Sequence, residues 1–511
     1  MRVSLRLFQI GAIAVVVAVA TYHAFELDRF FVAKELALHA AVVLAALFAW
    51  RGLRELEMAR LDWLLVAFLG LGALSALFAT NRWLGLRGLA VSVSAALVFW
   101  VARTHGRALA GGLSLAVVVA AITSLLQTYG LDIELFSENR IPGGTLGNRN
   151  FIAHVAAFGL PLLLYMTITA RRRRTFFWNA IGTALVTGSL VITRSRAAWL
   201  AFAVMLIVFL FALTASPPLR RDGRTWRRLG LTIVLAAVVT GTVLALPNAL
   251  HWRSKNPYLE TMHRVADYQG GSGRGRLIQY ERSLGLAIRH PLFGVGPGNW
   301  AVEYPTRAPA NDPSMSESEP GTTENPWPSS DWVAFVSERG IAATILLGLF
   351  FLGVIRGAFG QLFSAPDADS AIAGAALLGV VAGALVSGLF DAVLLTAVPA
   401  YLVFGAIGAL LSVAPAILPA KRSGNLLLLL ALILVSTAGA YRSASQLVAM
   451  DVYTTARTRA QLEHGSQIDP GNYRLHLRLA RGGKTRCFHA EAAHALYPSA
   501  RTATQLARGC R

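Results

Sequence analysis

Long runs of apolar residues recur from near the start of the chain to about residue 441, and they leave it few folds to adopt. About 20 apolar residues in a row form a helix long enough to cross a hydrocarbon core. By that measure there are about thirteen spans, from 7–24 at one end to 392–415 and 424–441 at the other. The runs do not alternate with period two, which removes a membrane barrel. Only 14% of residues are charged and mean hydropathy is +0.53, whereas soluble domains carry about 25% charged residues. The expected fold is all-α and polytopic, with a large extracytoplasmic loop and a small helical C-terminal domain. No cleavable leader is apparent: the first run follows Arg2 and Arg6 and reads as an anchor.

The formal charge of +20 is spread over short loops rather than one domain. Arg171 to Arg174, the cluster from Arg220 to Arg228, and Lys421-Arg422 each lie between apolar runs. That is the pattern of cytoplasmic anchoring, not of a nucleic-acid surface. With the N-terminus in the cytoplasm, nearly every basic cluster falls on that side, and an odd span count puts 250–332 and the tail outside. The chain then divides into N-terminal spans (1–249), a functional loop (250–332), C-terminal spans (333–441) and a tail (442–511).

A long loop on a membrane bundle has no bilayer role of its own, so function is the first explanation to try. It carries Gly273-Arg274-Gly275-Arg276, then a run with Leu277, Ile278, Leu284 and Ile288 flanked by Arg282 and Arg289, then His290 and Pro291-Leu292-Phe293-Gly294-Val295-Gly296-Pro297-Gly298. One face of that run is expected to lie on the membrane domain while the arginines face an anionic ligand; the plainer alternative is a surface helix on anionic lipid. Asp331, Glu338 and Arg339 follow at the next span, where carboxylates need water or a partner, and pairing with one another is one solution.

Upstream, Pro142 to Asn150 is glycine-rich and ends where a span begins. Exposed amides ahead of a helix N-terminus suit an anion, with Asn148 and Asn150 as candidate contacts; read alone, it is first a capped turn. Arg194 and Arg196 sit in a tight outside hairpin, against the positive-inside trend. A phosphate gripped by a guanidinium accounts for them, as does snorkelling to headgroups.

The tail has short helical stretches separated by Asp469-Pro470-Gly471-Asn472 and Tyr497-Pro498, with Ser499 a candidate N-cap. Its small residues between short helices are similar to a degenerate tetratricopeptide unit, expected as a cap that could dock a protein partner. Cys487 and Cys510 both lie there, and outside the cytoplasm a disulfide between them is open, as are two separate thiols.

In order, Asn148-Arg149-Asn150, Ser195-Arg196, Gly275-Arg276, Pro291 to Gly296, and Asp391 before a terminal span pair resemble the O-antigen ligase and polymerase superfamily of bacterial membrane glycosyltransferases. The resemblance covers roughly residues 60 to 415. It implies a polyprenyl-diphosphate-linked glycan donor, a glycan, lipid or protein acceptor, and work at the outer face of the inner membrane. It implies no metal or cofactor, because the diphosphate lipid is already a good leaving group. Arg196 and Arg276 match the family's arginines and would stabilise the departing diphosphate, with Arg194, Arg274, Arg289 and His290 near the substrate. One departure stands out. Where ligases show His-Asn ahead of a glycine, this chain has Ser329-Ser330 ahead of Gly340. A serine is no general base at neutral pH, which leaves Asp331, Glu338 or His290 for that part. The departure also keeps open a polymerase, or a non-catalytic subunit that only binds the lipid-linked glycan. A transporter fits less well, since no inverted repeat with broken helices is seen.

Overall fold

The structure is a computed structural model that describes residues 2–22, 26–263, 271–309, 312–413, 420–422 and 426–510. The ends of three expected spans, at 23–24, 414–415 and 424–425, and loop residues 264–270 and 310–311 lie outside the described residues.

Every expected span is a helix, but not all are equal. Among the described residues, 11 helices are long and apolar enough to cross a membrane. The other two, Arg2–Val17 and Ala397–Leu411, have 16 and 15 residues and are short for a full crossing. The first lies earlier than the expected 7–24. The last hydrophobic helix runs from Leu426 to Thr455, well past the expected end at 441.

The basic clusters gather at one end of the bundle. Arg107 reaches Asp369 at 3.3 Å and the Thr169 carbonyl at 2.7 Å, and Arg228 donates to the Ile168 carbonyl. Glu57–Ala59 pairs there with Ala420–Arg422 as a short antiparallel ribbon, the two strands among the described residues. The loop and the tail meet at the opposite end: the Arg501 amide donates to the Pro320 carbonyl at 3.0 Å, and Asn81 donates to the Leu496 carbonyl at 3.2 Å.

The helix Arg149–Ile168 is the most buried of the crossing helices. It packs against Ala368–Phe390, whose glycines let the two backbones approach: a Cβ on Gly383 would sit 3.0 Å from the Phe158 Cα. Whatever the outer end of that central helix carries is therefore held on a rigid element.

The tail holds four short helices, Arg459–Ile468, Tyr473–Leu479, Arg486–Leu496 and Arg501–Arg508, each packed on the next. Asn472 caps the second through the Leu475 amide. Ser499 is not a cap; that place belongs to Ala500, and the Ser499 hydroxyl points to the Val302 carbonyl instead. Cys487 and Cys510 are joined as a disulfide, tying the last two helices.

Candidate functional site

The glycine-rich loop is a structural staple. Gly294, Gly296 and Gly298 take φ of 63°, 99° and 68°, and Gly340, inside the helix Asp331–Ser364, takes φ of 81°. That left-handed residue kinks the helix and frees backbone groups that would otherwise pair within it. The loop supplies their partners. The Val295 and Gly296 amides donate to the Ser337 and Glu338 carbonyls at 2.9 Å, and the Ile341 amide donates to Pro291 at 2.9 Å. The Glu338 carboxylate accepts from the Gly298 and Trp300 amides at 2.8 and 3.2 Å.

Asp331 is engaged in the same way. It is fully buried and accepts from the Val393 and Leu394 amides, each at 2.9 Å, which fixes the short connection after Phe390. Arg339 pairs with neither carboxylate in a hydrogen bond. It donates to the Gly88 carbonyl and Ser92 hydroxyl and lies over the Phe68 and Phe335 rings.

The loop helix, Gly271–Arg289, includes Arg276 rather than following it. It also packs by the face opposite to the one expected. Gln279, Ser283, Leu286 and Ala287 are buried, whereas Leu277, Leu284 and Ile288 point outward. Polar anchoring decides this. Gln279 accepts from the Ser329 amide and donates to Ser314, the Trp300 indole donates to Ser283, and the Tyr280 hydroxyl lies 2.7 Å from the Ser329 and Leu389 carbonyls. Apolar residues and arginines that share an outward side give the build of an interfacial helix. Arg274, Arg289 and His290 are exposed on it, while Arg276 is half-buried.

The chemistry gathers at the head of the central helix. Asn148 caps it by accepting from the Asn150 amide at 2.9 Å. Just over a turn further in is His154, fully buried, with neither ring nitrogen hydrogen-bonded among the described residues. Its Nδ1 faces Asp391 Oδ2 at 4.0 Å. The charges of Asp391 and Arg276 both act on the ring. Histidine and carboxylate thus meet where the central helix faces the 391–396 connection, and Arg276 on the loop helix lies within electrostatic range of the ring. His154 was missed from sequence; its one signal was a lone histidine in the apolar run Phe151-Ile152-Ala153-His154-Val155, which in most chains is a satisfied core residue.

A second basic group lies beside it, since Arg149 precedes His154 by about 7.5 Å of helix rise. Arg149 and Arg194 both lie over the Trp252 ring, at 5.1 and 4.7 Å from its centroid. Arg194 also donates to Thr261 at 2.9 Å and lies 3.8 Å from Glu260. Burial lowers its pKa, partly offset by Glu260. Arg194 and Arg140 are the non-glycine residues with positive φ among those described, at 55° and 53°, and strain of that kind concentrates at functional sites. Arg196 opens the next helix, half-buried. No group of three or more histidine, cysteine or carboxylate side chains suited to a metal ion occurs among the described residues.

Residues 181–348 match the O-Antigen ligase family. The matched stretch takes in the Arg194–Arg196 hairpin, the loop helix with Arg276 and the kinked helix as far as Gly348; His154 and Asp391 lie outside it. No curated protein matches the chain. The likeness to the O-antigen ligase family supports a membrane glycan-transferring function.

Proposed function

We propose that this protein moves a glycan from a polyprenyl diphosphate to an acceptor hydroxyl, as a ligase does, at the outer face of the bacterial inner membrane. The observation that carries the reading is His154 facing Asp391 at the head of the most buried helix, with the charge of Arg276 acting on the same ring. The acceptor oxygen attacks the anomeric carbon, and the bond from that carbon to the phosphate oxygen breaks. The lipid diphosphate leaves with the electron pair. Arg276 and Arg196 stabilise the growing negative charge, with Arg149 and Arg194 holding the remaining phosphate oxygens. The acceptor proton goes to His154. Asp391 faces Nδ1, which leaves Nε2 as the base, and the carboxylate steadies the imidazolium that forms.

Asp331 and Glu338 have their oxygens engaged by backbone amides, so in this reading they fix the site's shape and carry no proton. Exposed Arg274, Arg289 and His290 would meet lipid headgroups or the outer part of the glycan. The end of the bundle with the basic clusters would be cytoplasmic under the positive-inside rule, which puts the site outside. Ser329-Ser330 at the ligase His-Asn position favours a second reading, in which the acceptor is another lipid-linked glycan and the product a longer chain.

The test is reconstitution with a polyprenyl-diphosphate-linked oligosaccharide and candidate acceptors, with products read by mass spectrometry. Transfer is expected in the native protein and lost in Arg276→Ala, and product mass separates ligation from chain growth. Undiminished transfer in both Arg276→Ala and His154→Gln would overturn the assignment.

A further inference from the structure

The tail does not lie flat on the bundle. Together with the outer ends of several helices and loop residues 319–326, it encloses a cavity of about 180 Å³. The walls are polar, but their charges are largely spent on one another. Arg474 meets Asp28 at 3.1 Å, Arg442 meets Asp469 at 2.8 Å, and Arg87, on the wall, is held from behind by Glu35 at 2.7 Å. Glu319 accepts from the Tyr473 hydroxyl, and Glu324 is exposed on the loop side. Carboxylates outnumber guanidiniums, so the cavity is a poor place for a diphosphate, which needs cationic excess.

What such walls do fit is an alcohol-rich ligand. Paired carboxylates and guanidiniums offer fixed acceptors and donors without demanding a counter-charge. Tyr473 and Tyr497 pack at 4.7 Å between centroids and give the cavity an aromatic side, which suits a ring with one apolar face and polar edges. The cavity is also close to the transfer site. Trp327, next to wall residue Pro326, packs on Phe31, and Phe31 packs on Phe151, at 4.6 and 5.3 Å. Phe151 lies on the helix of His154, within one turn of it.

We propose that this cavity is a saccharide subsite, completed by the tail, that takes a neutral or amino-substituted sugar unit of the acceptor glycan. Only the word acceptor rests on the transfer reading; the binding does not. The division of labour follows from charge: the donor's diphosphate goes to the arginines around Trp252 and His154, and the uncharged sugar goes under the tail.

The experiment is saturation-transfer NMR on the full chain in nanodiscs, with chitotriose, maltotriose and the glucosamine trimer as probes and trigalacturonate as the anionic control. At least one of the first three is expected to bind, and trigalacturonate is not. Gln446→Trp, which fills the cavity from the Leu426–Thr455 helix, should weaken binding at least about tenfold, or about 1.4 kcal/mol. Glu324→Gln, on the exposed loop, should weaken it in a chain whose packing is untouched. Arg276→Ala should bind as the native protein does. Absence of binding by all three probes, equal binding of trigalacturonate, or full binding by both cavity variants would overturn the proposal. Saccharide binding without any transfer in reconstitution would instead remove the transfer reading and leave the subsite standing.

Discussion

Two regions at the outer end of the bundle are built on opposite plans. In the staple, from Pro291 to Gly298 against Gly340, nearly every polar group has a fixed partner. At the corner of His154, Asp391 and Arg276, an imidazole is sealed in the protein with both nitrogens unbonded. Backbone geometry has to be met residue by residue, so the staple is dense with glycine and proline. Chemistry needs only a few side chains brought together from distant positions, so the corner leaves little trace in any one stretch. The more conspicuous motif is the structural one, and the quieter residues are those on which the proposed transfer rests.

The largest effect should come from the staple. A Cβ on Gly294 would lie 2.2 Å from the Glu338 carbonyl carbon, and one on Gly340 would lie 2.3 Å from the Leu292 oxygen. Both glycines also hold positive φ. Gly294→Val should cost more than about 4 kcal/mol and leave little folded protein in the membrane, as read by size-exclusion chromatography. A Gly294→Val protein that is folded but inactive would break the comparison, because the loop would then serve the reaction and not the kinked helix.

The corner should behave the other way. Arg276→Ala is expected to lower the transfer rate by about 10²–10³-fold and His154→Gln by about 10²–10⁴-fold, each with an unfolding midpoint close to the native one. The same pairing of rate and midpoint sharpens the contrast between two carboxylates. Asp331→Asn turns an amide donor towards Val393 or Leu394 and should destabilise by about 1–3 kcal/mol. Asp391→Asn should leave the midpoint in place and slow transfer instead. If Asp331→Asn is stable and slow, Asp331 belongs to the corner.

These contrasts show what could be read from the chain and what could not. Fold class followed from the apolar runs, because bilayer thickness fixes helix length. All thirteen runs became helices, but composition misplaced several of their ends, among them those of the first helix and of Leu426–Thr455. Segregation of the basic clusters from the loop and tail was legible for the same reason. The site was legible in part. Arg194, Arg196 and Arg276 were visible as charges where a membrane protein rarely has them. Asp331 and Glu338 were visible too, but a sequence does not say whether a carboxylate's oxygens will be taken by backbone amides 38 or more residues away. His154 was lost because its neighbours in sequence are apolar and its neighbours in space come from residues 276 and 391. The loop helix was turned the wrong way because period alone favours burial of Leu277, Leu284 and Ile288, whereas Gln279 and Ser283 carry the hydrogen bonds that set its rotation.

The smallest predicted effect tests the contrast with another buried histidine pair. In the tail, His476 and His489 meet through their Nδ1 atoms at 2.9 Å, and His476 Nε2 lies 3.0 Å from the Pro470 carbonyl. Since a carbonyl only accepts, His476 carries its proton on Nε2, and its Nδ1 accepts from His489. Both rings are neutral and, unlike that of His154, hydrogen-bonded. Burial, then His476, then Arg459 lower the pKa of His489 to about 4 from 6.5, and burial lowers that of His476. The unfolded tail therefore takes up protons near pH 6.5 that the folded tail refuses until about pH 4. This contribution to stability is complete above pH 6.5 and is lost as the pH falls towards 4. Hydrogen-exchange protection factors, which divide out the intrinsic slowing of exchange by acid, should fall across residues 473–496 over that window while those of the central helix are unchanged. The Cys487–Cys510 disulfide keeps the last two helices together throughout, so reduction should widen the acid response. Protection factors that rise on acidification would mean that the pair shares a proton in the folded state, and that the tail is a cap stabilised by acid.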